Sequence, residues 1–185
     1  MVRRIAVAFT ILAAVLVVSP AAQAQEMGRF RVLIPNFEPL EGANKKFGER
    51  AAKELRELIN TLATHQPIEE KEIKQNLKRF KMKMEELDCI RTRQLASQIN
   101  AQVALCASYT EGPEKQFTFN AAFWDVATGE EFAVDPGQGA DKQEQASAQF
   151  IFDQFDRYVQ QIRFAQFCGE YAQSQQWDNA LRNCD

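Results

Sequence analysis

The stretch VALCASYTEGPEKQFTFNAAFWDVATGEEFAV, residues 103–134, decides the fold. Val103 to Tyr109 is a β-rich run, and Glu111-Gly112-Pro113-Glu114 reverses it. Phe117, Phe119, Ala121 and Phe123 then alternate along a second strand. Thr128-Gly129-Glu130 makes another reversal before a third strand carrying Phe132 and Val134, so the stretch predicts an antiparallel meander.

Upstream, Phe30-Arg31-Val32-Leu33-Ile34-Pro35-Asn36-Phe37 reads as a strand stopped by proline, with a polar exit loop through Gly42. From Lys45 the period changes. Phe47, Ala51, Leu55, Leu58 and Leu62 recur at four and three residues, the spacing of an amphipathic helix. His65-Gln66-Pro67-Ile68 allows a short strand or connector. Glu69, Glu70 and Glu72 precede Lys74, Lys78, Arg79, Lys81 and Lys83, an order that suits a second helix and its dipole, with Ile73, Leu77, Phe80 and Met84 as the buried stripe. Asp88 is placed to cap a third helix carrying Leu95 and Ile99, which Asn100 ends. Beyond the meander, Asp135-Pro136-Gly137-Gln138-Gly139-Ala140 reads as a breaker cluster and linker. A long helix follows from Gln143, with Ala148, Ile151, Phe155, Tyr158, Ile162 and Ala165 on one side. The class is therefore α/β, a mixed sheet with an antiparallel meander and flanking helices, followed by an α-helical hairpin.

The amino terminus has the three parts of a secretory signal: Arg3 and Arg4, an apolar run from Ile5 to Val18, and Ala22-Gln23-Ala24 before a cut. About 14 apolar residues fall short of the roughly 20 needed to span hydrocarbon, so the expectation is cleavage near Ala24, a mature chain from Gln25, and a periplasmic address. No cysteine follows the apolar run as a lipid site, and nothing later in the chain is long and apolar enough to span a bilayer. With Arg3 and Arg4 removed, 20 basic residues stand against 25 acidic ones, about −5, with no basic block; nucleic acid is not an expected partner. Oligomeric state cannot be read from these features.

An exported chain turns Cys89, Cys106, Cys168 and Cys184 into candidate disulfides. Three pairings are possible. Sequence neighbours suggest Cys89 with Cys106 and Cys168 with Cys184, each worth about 3 kcal/mol in the chain-entropy model, against the alternative of buried free thiols. Strand parity raises an objection: if Val103, Leu105 and Ala107 face the core, Cys106 points away and must find Cys89 on that other side.

No catalytic set is evident. His65 is the only histidine, beside Gln66 and Pro67, and reads as a surface loop residue. The cysteines lack C-x-x-C spacing and no zinc-ligand cluster exists, so neither a thiol enzyme, a metal nor a cofactor is expected. Gly137-Gln138-Gly139 lacks the following lysine of a phosphate loop. The acidic run from Glu69 to Glu72 is explained by its place at a helix start, and the basic face from Lys74 to Lys83 reads as solvated surface rather than a site for anionic lipid or glycan.

In order and spacing, the strand RVLIPNF, the segment LASQINAQVALCASY and the corner FWDVATGEEF resemble the TolB amino-terminal family, and more distantly CsgG-like and penicillin-binding-protein activator domains. That resemblance implies a non-catalytic domain, residues 25–135, that binds envelope proteins. Residues 163–185 resemble an incomplete tetratricopeptide repeat (TPR), in which Phe164, Phe167, Cys168, Tyr171, Trp177, Ala180 and Cys184 would be the packing positions. Residues 1–24 are then the signal, and 136–162 a linker and long helix. The resulting expectation is an envelope adaptor, held in part if the chain is a fragment of a longer array. A binder of peptidoglycan fragments or another small ligand, using the aromatics at Phe123 and Trp124, is the alternative.

Overall fold

The computed structural model describes residues 29–184; the signal segment and the new terminus expected at Gln25 lie outside them. Six strands form one mixed sheet: β1 (Phe30–Leu33), β2 (Glu38–Pro39), β3 (His65–Pro67), β4 (Val103–Glu111), β5 (Gln116–Asp125) and β6 (Glu131–Ala140). Their order is β3-β1-β4-β5-β6, and β2 pairs with β4 beyond the end of β1. Pairing is parallel among β3, β1, β2 and β4, and antiparallel through β4, β5 and β6.

Among the described residues are five α-helices, α1 (Lys45–Ile59), α2 (Glu70–Arg79), α3 (Cys89–Gln98), α4 (Glu144–Gln173) and α5 (Trp177–Cys184); the first four flank the sheet, and α5 packs on the far end of α4. Asn44 caps α1 through its side-chain oxygen, and Asp88 Oδ1 accepts the Arg91 N–H at 2.8 Å to cap α3. Both caps satisfy amide donors that a helix start would otherwise leave open. α1 and α4 bury the odd-numbered residues of β5 in one core, with Phe47, Leu55, Ile151 and Phe155 against Phe117, Phe119 and Phe123. A smaller core of Ile73, Leu77, Leu95, Ala96 and Ile99 from α2 and α3 covers Leu33 and Ala104 on the opposite face. Since that second core uses only the β1 and β4 part of the sheet, the same face of β5 and β6 stays bare.

Residues Asp135–Ala140 are strand, not linker. The cluster looks like a breaker because the site needs small residues. A Cβ at Gly137 would overlap the Phe119 ring, and one at Gly139 would overlap Ser147 Oγ. Pro136 is tolerated because β6 is the sheet edge, where the ladder shifts register opposite Phe119 and Ala121. Phe80 also departs from expectation: it stands 45% exposed outside the α2 stripe, because the chain turns at Lys81 (φ 56°) before Met84 re-enters the core.

Phe155 is fully buried, stacked on Phe123 at 4.2 Å and edge-on to His65 at 5.2 Å. Phe155→Ala is expected to cost about 3–5 kcal/mol, read as a lower urea midpoint at unchanged slope.

Candidate interaction groove

The bare face of β5 and β6 is built by alternation. Along β5 the even positions Thr118, Asn120, Ala122 and Trp124 point away from α1 and α4. Register sets them in rows: Glu38, Ser108 and Asn120 across β2, β4 and β5, then Cys106, Ala122 and Ala133, then Trp124 beside Glu131. The middle row is small, so it forms a floor. The amino-terminal end of α3 forms the wall, with Asp88, Cys89 and Thr92 facing a cavity of about 400 Å³ that Pro35, Asn36 and Pro136 help to close.

A disulfide between Cys89 and Cys106 joins wall to floor, with Cα atoms 5.0 Å apart. This resolves the parity question. Cys106 does face away from Leu105 and the main core, and Cys89, the first residue of α3, lies on that side. Cys168 and Cys184 are likewise bonded, tying α4 to α5 with Cα atoms 5.1 Å apart.

Polar groups around the cavity are largely unspent. Among the described residues, the side chains of Asn36, Glu38, Ser108, Asn120 and Glu131 make no hydrogen bond within the protein, and the indole Nε1 of Trp124, at the end of the same face, is buried without a partner. Further along the same seam, Arg93 lies over the Trp124 ring at 3.9 Å, in a second cleft with Ile90, Gln94, Asp125 and Gly129. Phe123 and Trp124 therefore do not present one shared exposed face. Phe123 is core, and one face of Trp124 is already taken by a guanidinium. The DVATGE corner is explained by turn chemistry: Asp125 Oδ1 accepts from Ala127 N at 2.9 Å and Thr128 N at 2.7 Å, and Gly129 takes φ 75°.

His65 is not a surface loop residue. It lies in edge strand β3, 8% exposed, between Phe30 and Phe155, with Thr64 Oγ1 2.9 Å from Nδ1. Burial, reinforced by the Arg29 charge, lowers its pKa from 6.5 to about 4. No group of three or more metal-ligating side chains occurs among the described residues.

The TPR positions do not pack as a repeat. Phe164 is 54% and Trp177 61% exposed, whereas Ala180 is buried. α5 is only eight residues long, and what holds it to α4 is the disulfide with the close approach at Ala180. Phe167 and Tyr171 lie 6.4 Å apart on α4 itself.

The sequence matches no protein-family model and no curated protein. Among solved structures, the chain is similar to the LpoB C-terminal domain from Salmonella enterica, at 16% identity and TM-score 0.42 over 60% of this chain and 81% of that one. The LpoB C-terminal domain from Escherichia coli gives 15% and 0.45, over 60% and 80%. Lipoprotein GNA1162 from Neisseria meningitidis gives 13% and 0.46, over 60% and 78%. These neighbours correct the expected kinship with TolB and CsgG and with tetratricopeptide repeats. The motifs that suggested it are a strand, a helix end and a turn, which any sheet of this kind requires.

Two measurements bear on this region. Because His65 is held neutral, its contribution to stability is complete above pH 6.5 and is lost as pH falls toward about 4. His65→Phe is expected to flatten the urea-derived stability profile over that interval. Replacing Cys89 and Cys106 together by serine is expected to cost about 3 kcal/mol in the same assay.

Proposed function

We propose that this chain is a non-enzymatic protein-binding adaptor of the bacterial cell envelope, exported to the periplasm, whose docking surface is the groove between α3 and the bare face of β5 and β6. The observation that carries the reading is the set of unspent polar groups, Asn36, Glu38, Ser108, Asn120 and Glu131, grouped around a floor of Ala122 and Ala133. Such a floor admits close approach of another backbone, while the surrounding amides, hydroxyl and carboxylates offer hydrogen bonds that the protein itself does not use. The two uncommitted carboxylates, Glu38 and Glu131, favour a segment carrying lysine or arginine, whereas Asp88 is already engaged by the Arg91 N–H and guanidinium. Supporting the export side are the signal-like amino terminus and two disulfides, which persist in oxidising compartments. No helix among the described residues is long and apolar enough to cross a membrane.

A photo-reactive residue placed at Ala133 is expected to cross-link one discrete envelope protein, and the same residue at Gln160 on α4 is not. Asn120→Arg, which fills the groove without touching the core, is expected to abolish that product. Equal labelling from Ala133 and Gln160 would count against the groove.

A further inference from the structure

The carboxylates Glu70 and Glu72 of α2 are committed elsewhere, and the cations at its carboxyl-terminal end are not. Glu70 is shared between Lys74 and Arg56, whose Nη2 lies 3.2 Å away, and Glu72 pairs with Arg31 on β1. Both acids therefore point toward the sheet or are neutralised at the start of the helix. Of the five cations between Lys74 and Lys83, only Lys74 is in an ion pair among the described residues. Lys78, Lys81 and Lys83 are exposed and unpaired, and Arg79 reaches only the Asn76 side-chain oxygen at 3.5 Å. The acids that follow are Glu85, exposed, and Glu86, whose Oε2 accepts the Lys83 N–H at 3.2 Å; Glu69 sits at the opposite end of the helix. The helix end is thus a local cationic surface on a chain of net negative charge.

Two further features are independent of the charge count. Phe80 is 45% exposed in the middle of the cations, a large apolar ring with nearly half of its surface open to solvent. Lys81 occupies the left-handed position that ends the helix, φ 56°, where the Met82 N–H returns to the Leu77 carbonyl at 3.0 Å. Glycine is the residue that position favours; here it carries a lysine instead. The turn holds Phe80, Lys81 and Lys83 outward together.

We infer that the Lys78–Lys83 turn is a docking surface for anionic phospholipid bilayers, with the cations meeting headgroup phosphates and Phe80 entering the interface. A cluster of four to eight basic residues flanking an exposed aromatic ring is the arrangement that binds such surfaces, because headgroup attraction falls off within a Debye length and the ring adds apolar burial. It lies apart from the groove and does not depend on the adaptor reading.

The test is sedimentation of residues 25–185, which carry every described element, with phosphatidylcholine vesicles lacking or containing about one-third phosphatidylglycerol, at about 0.1 M salt. The protein is expected to pellet at least about fivefold more with the anionic vesicles, and Lys78→Glu with Lys81→Glu to lose about tenfold in vesicle affinity. Phe80→Ser is expected to weaken vesicle binding while leaving retention on soluble polyphosphate unchanged. All three substituted positions are exposed, and an unchanged urea midpoint shows that each variant folds. Equal pelleting with both vesicle types would overturn the inference, as would wild-type binding by the double variant. Vesicle binding indifferent to Phe80→Ser would assign the surface to a soluble polyanion instead of a bilayer.

Discussion

Two ring stacks hold one helical layer to the sheet: Phe47 of α1 on Phe117, at 4.1 Å, and Phe155 of α4 on Phe123, at 4.2 Å. The geometry of each pair contributes about 0.5–1.5 kcal/mol, whereas burying each ring contributes roughly 1.5–3 kcal/mol, so area outweighs stacking. Both stacks require the odd positions of β5 to face the same way over seven residues. A slip of one residue would put Asn120 and Thr118 into the core and four rows of apolar side chains into water. Everything else in the fold is arranged around that one register.

The opposite face follows from the same constraint. If odd positions supply the main core, even positions must supply whatever lies on the other side, and here, up to Trp124 at the strand's end, they are small or polar. α2 and α3 have too few apolar residues to reach past β4, so the smaller core stops at Leu33 and Ala104. A bare strip beside a helix results, and the Cys89–Cys106 disulfide fixes the width of the seam between them. Wall and floor are thereby set covalently. The groove's shape does not rest on the weak packing available there.

Period explains what could be read in advance and what could not. Alternation at Phe117, Phe119 and Phe123 and the three-and-four spacing of α1 come from side-chain facing, which short-range sequence carries directly, so the mixed sheet and its helices were legible. Phe80 fits the helical period of α2 but is thrown outward by a left-handed lysine, and backbone sign is not encoded in a hydrophobic pattern. Gly137 and Gly139 mislead because glycine marks both a loop and a close approach; only the positions of the Phe119 ring, against Gly137, and of Ser147 Oγ, against Gly139, distinguish the two. His65 looked exposed beside proline, yet α4, ninety residues later, brings Phe155 against it. The groove was hidden for a similar reason. Ala122 and Ala133 have no signature as a site until β6 folds beside β5, although the polar and small residues at even positions of β5 were a signal available from the start.

α4 leaves the body after Val159, and from Gln160 to Ala165 every side chain is exposed. A single helix with no face against anything is held by its own backbone hydrogen bonds alone, which at this length are marginal in water. The carboxyl-terminal hairpin beyond it is closed on itself by Cys168 and Cys184. Opening of that neck would thus cost little and leave the pieces on both sides intact, giving the chain a fuse between two bodies that keep their shapes.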